Sequence, residues 1–382
     1  MAGLWFGPSC RSLDLPAKLV LRVLGALAPP LILVAVVHAI MTAEVHGKLA
    51  ARMGRLLLLN TLVAIVVGLV TANVIAPGRH AKLARPEGAP QVHGDVVSQL
   101  LDNIPSSLLG PFVENRVIGV VLIAVAFGVA ARSLDTEKRK TAESLTTLAF
   151  SSLLVVLSWV IAFVPFAVFG KVASIVGTSG FGPFVSLGLF VASVIVALLL
   201  QTTYYLVRVR LGSWVRPIHL LGSMRDALVM AFSTASSTVT MPVTYDRLRH
   251  KVGLRERSAG LGALVGSNFN NDGTALYEAM AALFVAQMLG VELSAFQQLM
   301  IVLTSVVASV GAAGIPEAGL VTMTLVFTAV GLPPEYIALL LTVDWFLDRC
   351  RTMVNVLGDT NVACLLDGKT PERAETPSAP SP

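Results

Sequence analysis

Charge is scarce in this chain: only 13% of its 382 residues are Asp, Glu, Lys or Arg, where a soluble domain carries about 25%. A surface that poor in charge excludes a water-soluble fold, and 55% hydrophobic residues with mean hydropathy +0.77 agree. Cysteine is nearly missing. Cys10, Cys350 and Cys364 make no spaced pair, which excludes a disulfide framework and a cysteine-based zinc site. The start, Met1–Leu15, lacks a sustained apolar core, so no cleavable signal peptide is expected.

What is present are long apolar runs. Leu56–Ala76, Val117–Ala131, Leu145–Phe169 and Val185–Val207 approach or exceed the ~20 residues that span a hydrocarbon core. The net charge of +5 comes from basic residues clustered at Lys48–Arg55, Arg132–Lys140, Arg208–Arg225 and Arg247–Arg257. Basic loops between apolar runs orient a membrane protein, so no nucleic-acid partner is implied. With the clusters cytoplasmic, segments 19–44, 56–76, 112–131, 145–169, 184–207, 258–289 and 335–366 each cross once. Arg79, Lys82 and Arg85 fall on the predicted outer side and break the statistical rule.

Two stretches fit no crossing. Asp226–Asp246 lies between basic clusters, and Leu293–Val330 lies between charge-poor turns. Each has a helix-breaking centre, at 236–242 and 311–319, and each reads as a re-entrant hairpin in preference to an interfacial helix or a kinked span. Irregular backbone at membrane depth survives only against protein or a water-filled cavity, and an opposed pair points to a transporter site at the midplane. The fold class is thus an all-α polytopic membrane protein with two opposed re-entrant helical hairpins.

The last span carries Asp344, Asp348, Arg351, Asn355 and Asp359. Spacings of four, three, four and four place them on one helix face, with Arg349 pointing elsewhere. Each ionisable group inside a membrane costs at least ~2.5–3.5 kcal/mol on insertion scales. Asp272 adds a fourth carboxylate against two arginines, an excess too expensive to bury. Bound cations or protons would balance it. Around Asp272, the run Gly266-Ser-Asn-Phe-Asn-Asn-Asp-Gly-Thr274 predicts a locally opened helix, whose oxygens suit hard cations such as Na⁺.

Motifs then converge on a family. Gly314-Ile-Pro-Glu-Ala-Gly-Leu-Val-Thr-Met and Val343-Asp-Trp-Phe-Leu-Asp-Arg-Cys-Arg-Thr-Met-Val-Asn-Val-Leu-Gly-Asp359 resemble the second hairpin and last helix of the dicarboxylate/amino acid:cation symporters, which include glutamate transporters. Asn270-Asn-Asp-Gly-Thr resembles their Asn-Met-Asp-Gly motif, and Ser236-Ser-Thr through Pro242 their serine-rich first hairpin tip. The match is most specific over 222–360.

The resemblance implies roles residue by residue. Arg351 would pair with a substrate's side-chain carboxylate and Asp348 would hold its amino group. Thr274, Thr352 and Asn355 would add polar contacts. Ser237 and the backbone of Ala235 would meet the main-chain carboxylate, with Ile315 and Gly319 opposite. Asn270, Asn355, Asp359 and the Gly266 carbonyl would form one Na⁺ site. Asp272, Asn60 and Thr61 would form a second, and the backbone of Ser309, Val310 and Ala312 near Asn268 a third.

It further implies a homotrimer in a plasma (inner) membrane that co-transports Na⁺ (or H⁺) with a small acidic amino acid or C4-dicarboxylate, without an organic cofactor. Residues 1–53 would be an N-terminal segment and scaffold helix, 54–76 a transport-domain helix, and 77–183 two scaffold helices with an outer loop. The transport domain would occupy 184–366, with hairpins near 222–247 and 293–330, and 367–382 would be a disordered cytoplasmic tail.

Departures touch the third cation site: Asn271 replaces the family's methionine and Asn268 a usual threonine. Leucine at 57, where a tyrosine is common, weakens the second. The family's first helix has no counterpart, since Met1–Pro16 is too short and polar for a span; either the true start lies upstream, the reading favoured because every later element is present, or the chain is a truncated member of the family. Two other functions are weighed against a symporter. An intramembrane aspartyl enzyme is disfavoured because Arg351 pins Asp344 and Asp348 ionised. A non-transporting receptor or anion channel on the same fold is the third.

Overall fold

A computed structural model describes residues 12–13, 15–42, 47–80, 105–114, 117–179, 182–311 and 318–371. Among them there are helices and turns and no strand, as the composition requires. Helix α1 (Leu15–Thr42) bends by 40° at Pro29-Pro30, where two ring nitrogens donate nothing to the preceding turn. Helix α2 (Gly47–Ile75) is continuous. Helix α3 (Val117–Arg132) has 16 residues, which at 1.5 Å per residue is about 24 Å and short of the hydrocarbon core. Helix α4 (Thr136–Ala162) runs through a turn at Phe163 into α5 (Val164–Ser179), and α6 spans Gly182–Gly212.

Ala51–His80, Thr136–Thr178 and Phe184–Gly212 are long and apolar enough to cross a membrane, and α1 is a fourth if its bent halves count as one. The other expected crossings do not meet that measure for different reasons. Segment 112–131 is short, 258–289 is interrupted, and 335–366 carries the polar stripe.

The first expected hairpin is a helix pair, α7 (Pro217–Thr234) and α8 (Ser237–Asp246), packed together and followed by a π-helical turn at Arg247–Val252. Its break is narrower than the expected 236–242. Ala235 adopts a left-handed φ of 51°, Ser236 is extended, and the Ser236 hydroxyl caps α8 by accepting from Val239 N at 3.2 Å. Capping restarts the helix at once, so Pro242 lies inside α8. The second is the pair α11 (Ala295–Gly311) and α12 (Ala318–Ala329), also packed together. Its tip at 312–317 lies outside the described residues, and Ala312 and Ile315 with it.

Between the pairs, α9 (Glu256–Gly260) passes through a π-helical turn (Leu261–Val265) and one α-turn (Gly266–Phe269), then opens at Asn270 and Asn271. Those residues have φ/ψ of −105°/89° and −116°/47°, as the cluster of amides and glycine predicts. Helix α10 (Asp272–Met288) restarts there and is buried on every side except at Gln287. Helix α13 (Ile337–Asp367) packs against this break. It packs on α6, α7 and α10, while α10 lies along α2. Helix α1 packs on α3, α4 and α5, and also touches both α11 and α12.

Candidate functional site

The expected stripe on α13 is a single buried face. Asp344, Asp348, Arg351, Asn355 and Asp359 are at most 9% exposed, whereas Trp345 is 65% exposed. Arg349 follows Trp345 outward, with its guanidinium 5.8 Å from that indole and donating to the Trp345 carbonyl. It therefore leaves the charge balance of the site, where the sequence counted it as a neighbouring cation. Glu278, fully buried on α10, enters instead. Asp272, Glu278, Asp344, Asp348 and Asp359 are all buried, and among the described residues Arg351, in contact with Asp344 and Asp348, is the one buried guanidinium, so the deficit of positive charge is larger than the sequence suggested.

Arg351 is the centre. Its Nη2 donates to Asp348 Oδ1 at 2.8 Å and lies 3.0 Å from Asp344 Oδ1. Its Cζ sits 4.1 Å from the centroid of the Tyr277 ring, a cation–π contact that holds the fork flat. Nε and Nη1 are buried without a hydrogen-bond partner. At Gly319 an added Cβ would lie 3.5 Å from both Nη atoms, so the start of α12 presents bare backbone to the guanidinium. Thr352 donates to the Asp348 carbonyl at 2.8 Å, and Thr274 is buried in the first turn of α10.

The break meets this face closely. At Gly273 a Cβ would be 2.8 Å from the Arg351 carbonyl, so only glycine lets the two backbones approach so far, and at Gly266 it would be 2.7 Å from Asp359 Oδ1, where glycine leaves room for the carboxylate. Asn270 Nδ2 donates to Asp359 Oδ1 and to the Asn355 carbonyl, both at 3.0 Å, and Asn270 Oδ1 is buried without a partner. Asn270 N donates to the Gly266 carbonyl at 2.7 Å. Asn355 accepts from Gly273 N at 2.8 Å and donates to Asn271 Oδ1 at 3.3 Å, and Asn271 Nδ2 donates to the Ser309 carbonyl at 2.9 Å. The first hairpin joins through Ser237, whose hydroxyl donates to the Ser267 carbonyl at 3.2 Å, and Ala235 is buried one turn end away.

Asp272 has partners from two other helices. Thr61 Oγ1 donates to Oδ1 at 2.6 Å and Tyr205 Oη to Oδ2 at 2.5 Å. Asn60, grouped with Asp272 from the sequence, instead faces Asn361 at 3.4 Å and accepts from Arg208. The side chains of Asn268 and Val310 lie outside the described residues. Sequence reasoning missed Tyr205, Arg208, Tyr277 and Glu278. Gln201, Tyr205 and Arg208, spaced four and three in α6, and a glutamate amid alanines in α10 were the available signals.

Residues 1–369 match the model of the sodium:dicarboxylate symporter family. Curated relatives include mouse excitatory amino acid transporter 4, 39% identical over 259 residues (65% of this chain, 45% of the relative). Human excitatory amino acid transporter 1 is 37% identical over 273 residues (69% and 48%). The Ambystoma tigrinum excitatory amino acid transporter 1 is 30% identical over 412 residues (90% and 75%). In the first of these alignments the chain spans about half the relative's length.

Proposed function

The chain belongs to the sodium:dicarboxylate symporter family, and from that premise we propose that it is a multi-pass secondary symporter carrying an acidic amino acid or C4-dicarboxylate with Na⁺. The observation that carries this reading is Arg351: a fully buried guanidinium with two N–H-bearing nitrogens free, one nitrogen already shared by Asp344 and Asp348. A planar fork with free donors suits a carboxylate, and Asp348 beside it suits an ammonium. A zwitterion with an acidic side chain satisfies both.

The remaining roles follow from position. Ser237 and the Ala235 backbone would hold the main-chain carboxylate from the first hairpin, with Ile315 and Gly319 from the second and Thr274, Thr352 and Asn355 filling the polar contacts. Na⁺ travels as cargo. Asn270 Oδ1, the Gly266 carbonyl, Asn355 and Asp359 offer oxygens at one locus, where an orphaned buried acceptor fits a hard cation. Asp272 with Thr61 offers a second; a third would lie at Ser309 with the backbone at Val310 and Ala312, the last of which is outside the described residues. Cation binding corrects the charge deficit, which ties solute to ion without further machinery. Glu278, fully buried on α10, is the group suited to carry H⁺.

We read α2, α6–α10, the second hairpin and α13 as the moving body and α1 with α3–α5 as the scaffold of a homotrimer in the plasma membrane, working as an elevator without catalysis or an organic cofactor. Uptake of labelled aspartate into proteoliposomes tests the proposal. Accumulation driven by an inward Na⁺ gradient is expected. Uptake indifferent to every cation gradient refutes symport.

A further inference from the structure

Thr61 bonds Asp272, but its neighbour Asn60, fully buried on α2, spends both of its oxygens elsewhere. The orientation of the Asn60 amide is fixed from two ends. The Tyr205 backbone carbonyl can only accept, so the Asn361 NH₂ faces it at 2.9 Å and the Asn361 oxygen faces Asn60 Nδ2 at 3.4 Å. A guanidinium can only donate, so Asn60 Oδ1 faces Arg208 and accepts from it. Turning Asn60 over would set oxygen against oxygen at one end and N–H against N–H at the other. The Asn60 backbone carbonyl is taken as well, by Gln201 Nε2 at 3.3 Å.

Arg208 follows Tyr205 by three residues on α6, and its Cζ lies 5.3 Å from the centroid of the Tyr204 ring, a cation–π contact that helps to hold it. Its charge reaches Asp272. Thr61 Oγ1 stands 2.6 Å from Asp272 Oδ1 and 3.1 Å from the Leu57 carbonyl, and its one proton serves one of them at a time. With that proton on Leu57, Thr61 and Asp272 both present oxygens to a cation. Gln201 Oε1 is a further buried acceptor without a partner. Asn60 Oδ1 would add another, and Arg208 occupies it.

We propose that Arg208 is a specificity-determining residue of the Asp272 locus: it withdraws the Asn60 oxygen and sets a fixed positive charge within reach of the carboxylate, so that Na⁺ binds there weakly. That a cation binds at Asp272 and Thr61 rests on the function proposed above; the hold of Arg208 on Asn60 does not. Thermal unfolding of the full-length, detergent-solubilised chain tests the proposal, titrated with NaCl against choline chloride at constant ionic strength. An ion that binds the folded state raises the midpoint, so binding is read without transport.

Arg208→Met keeps an unbranched side chain but neither charge nor donor. Its half-stabilising Na⁺ concentration should fall about tenfold, the scale of one polar partner gained. Adding Asn60→Leu should remove that gain. Arg208→Gln, neutral but still a donor, takes its place if the methionine variant does not fold, and should gain less in the same direction. A folded variant whose Na⁺ dependence equals that of wild type overturns the proposal. So does weaker Na⁺ binding, which would make Arg208 a support of the site, and so does a gain that survives Asn60→Leu. Tighter Na⁺ binding by the variants, in a protein that takes up no aspartate under any cation gradient, refutes only the symport reading.

Discussion

Replacing Arg351 by cysteine removes the guanidinium that Asp344 and Asp348 share and leaves a short, uncharged stub on the buried face. Nε and Nη1 are the groups free to bind. Two hydrogen bonds to a charged carboxylate, at roughly 1.5–3 kcal/mol each, give about 3–6 kcal/mol. At about 1.4 kcal/mol per decade this is a hundredfold to ten-thousandfold rise in apparent KM for aspartate. The same substitution leaves Asp344 and Asp348 without their shared partner. Those carboxylates would then hold a proton or a cation, and the cavity that accepted a side-chain carboxylate would accept a small neutral amino acid. Labelled aspartate and serine uptake in proteoliposomes, with Na⁺ and with purified variant of matched stability, reads both effects. Arg351→Lys separates charge from geometry, because an ammonium restores the balance but not the fork. An Arg351→Cys KM for aspartate within a few-fold of wild type would refute the role given to this side chain.

Tyr205→Phe removes the 2.5 Å donor to Asp272 and should raise the Na⁺ concentration for half-maximal uptake about ten- to a hundredfold, the effect of one charge-assisted bond; an Na⁺ curve identical to wild type would contradict it. Gly358→Ala places a Cβ 2.3 Å from Asn270 Nδ2 and 3.0 Å from Tyr205 Oη. Overpacking costs ~1–3 kcal/mol, so its thermal unfolding in detergent should start lower, and an unchanged midpoint would mean the helices slide apart freely. Glu278→Gln makes this buried acid permanently neutral. Uptake by that variant should lose pH dependence between pH 5 and 8 relative to wild type, and a superimposable pH profile would remove Glu278 from proton handling.

The polar face of α13 was legible because residues spaced four, three, four and four must share a side of a helix whatever surrounds them. The opening at Asn270 and Asn271 was legible for a similar local reason, a crowd of amides beside glycine. What a periodicity does not carry is the identity of the facing helix. Tyr205 reaches Asp272 across 67 residues and Arg208 reaches Asn60 across 148, and nothing in α6 alone announces those pairs. Arg349 was placed off the stripe yet still counted in its charge balance, and its course along Trp345 takes it out of that balance. A packed helix pair stands where the first hairpin was expected, but its break falls at Ala235 and Ser236 and does not run through 236–242, because the Ser236 cap restarts the helix at once.

The bend in α1 has a different reach. That helix packs on α3, α4 and α5 and meets both arms of the second hairpin, while none of its described side chains bonds to the polar centre. Under the proposed reading, friction along this bent rail governs how fast the loaded body travels, and the polar centre governs what it is loaded with. Speed and selectivity are then inherited separately, and evolution could tune the turnover of such a carrier at Pro29-Pro30 without touching its choice of cargo.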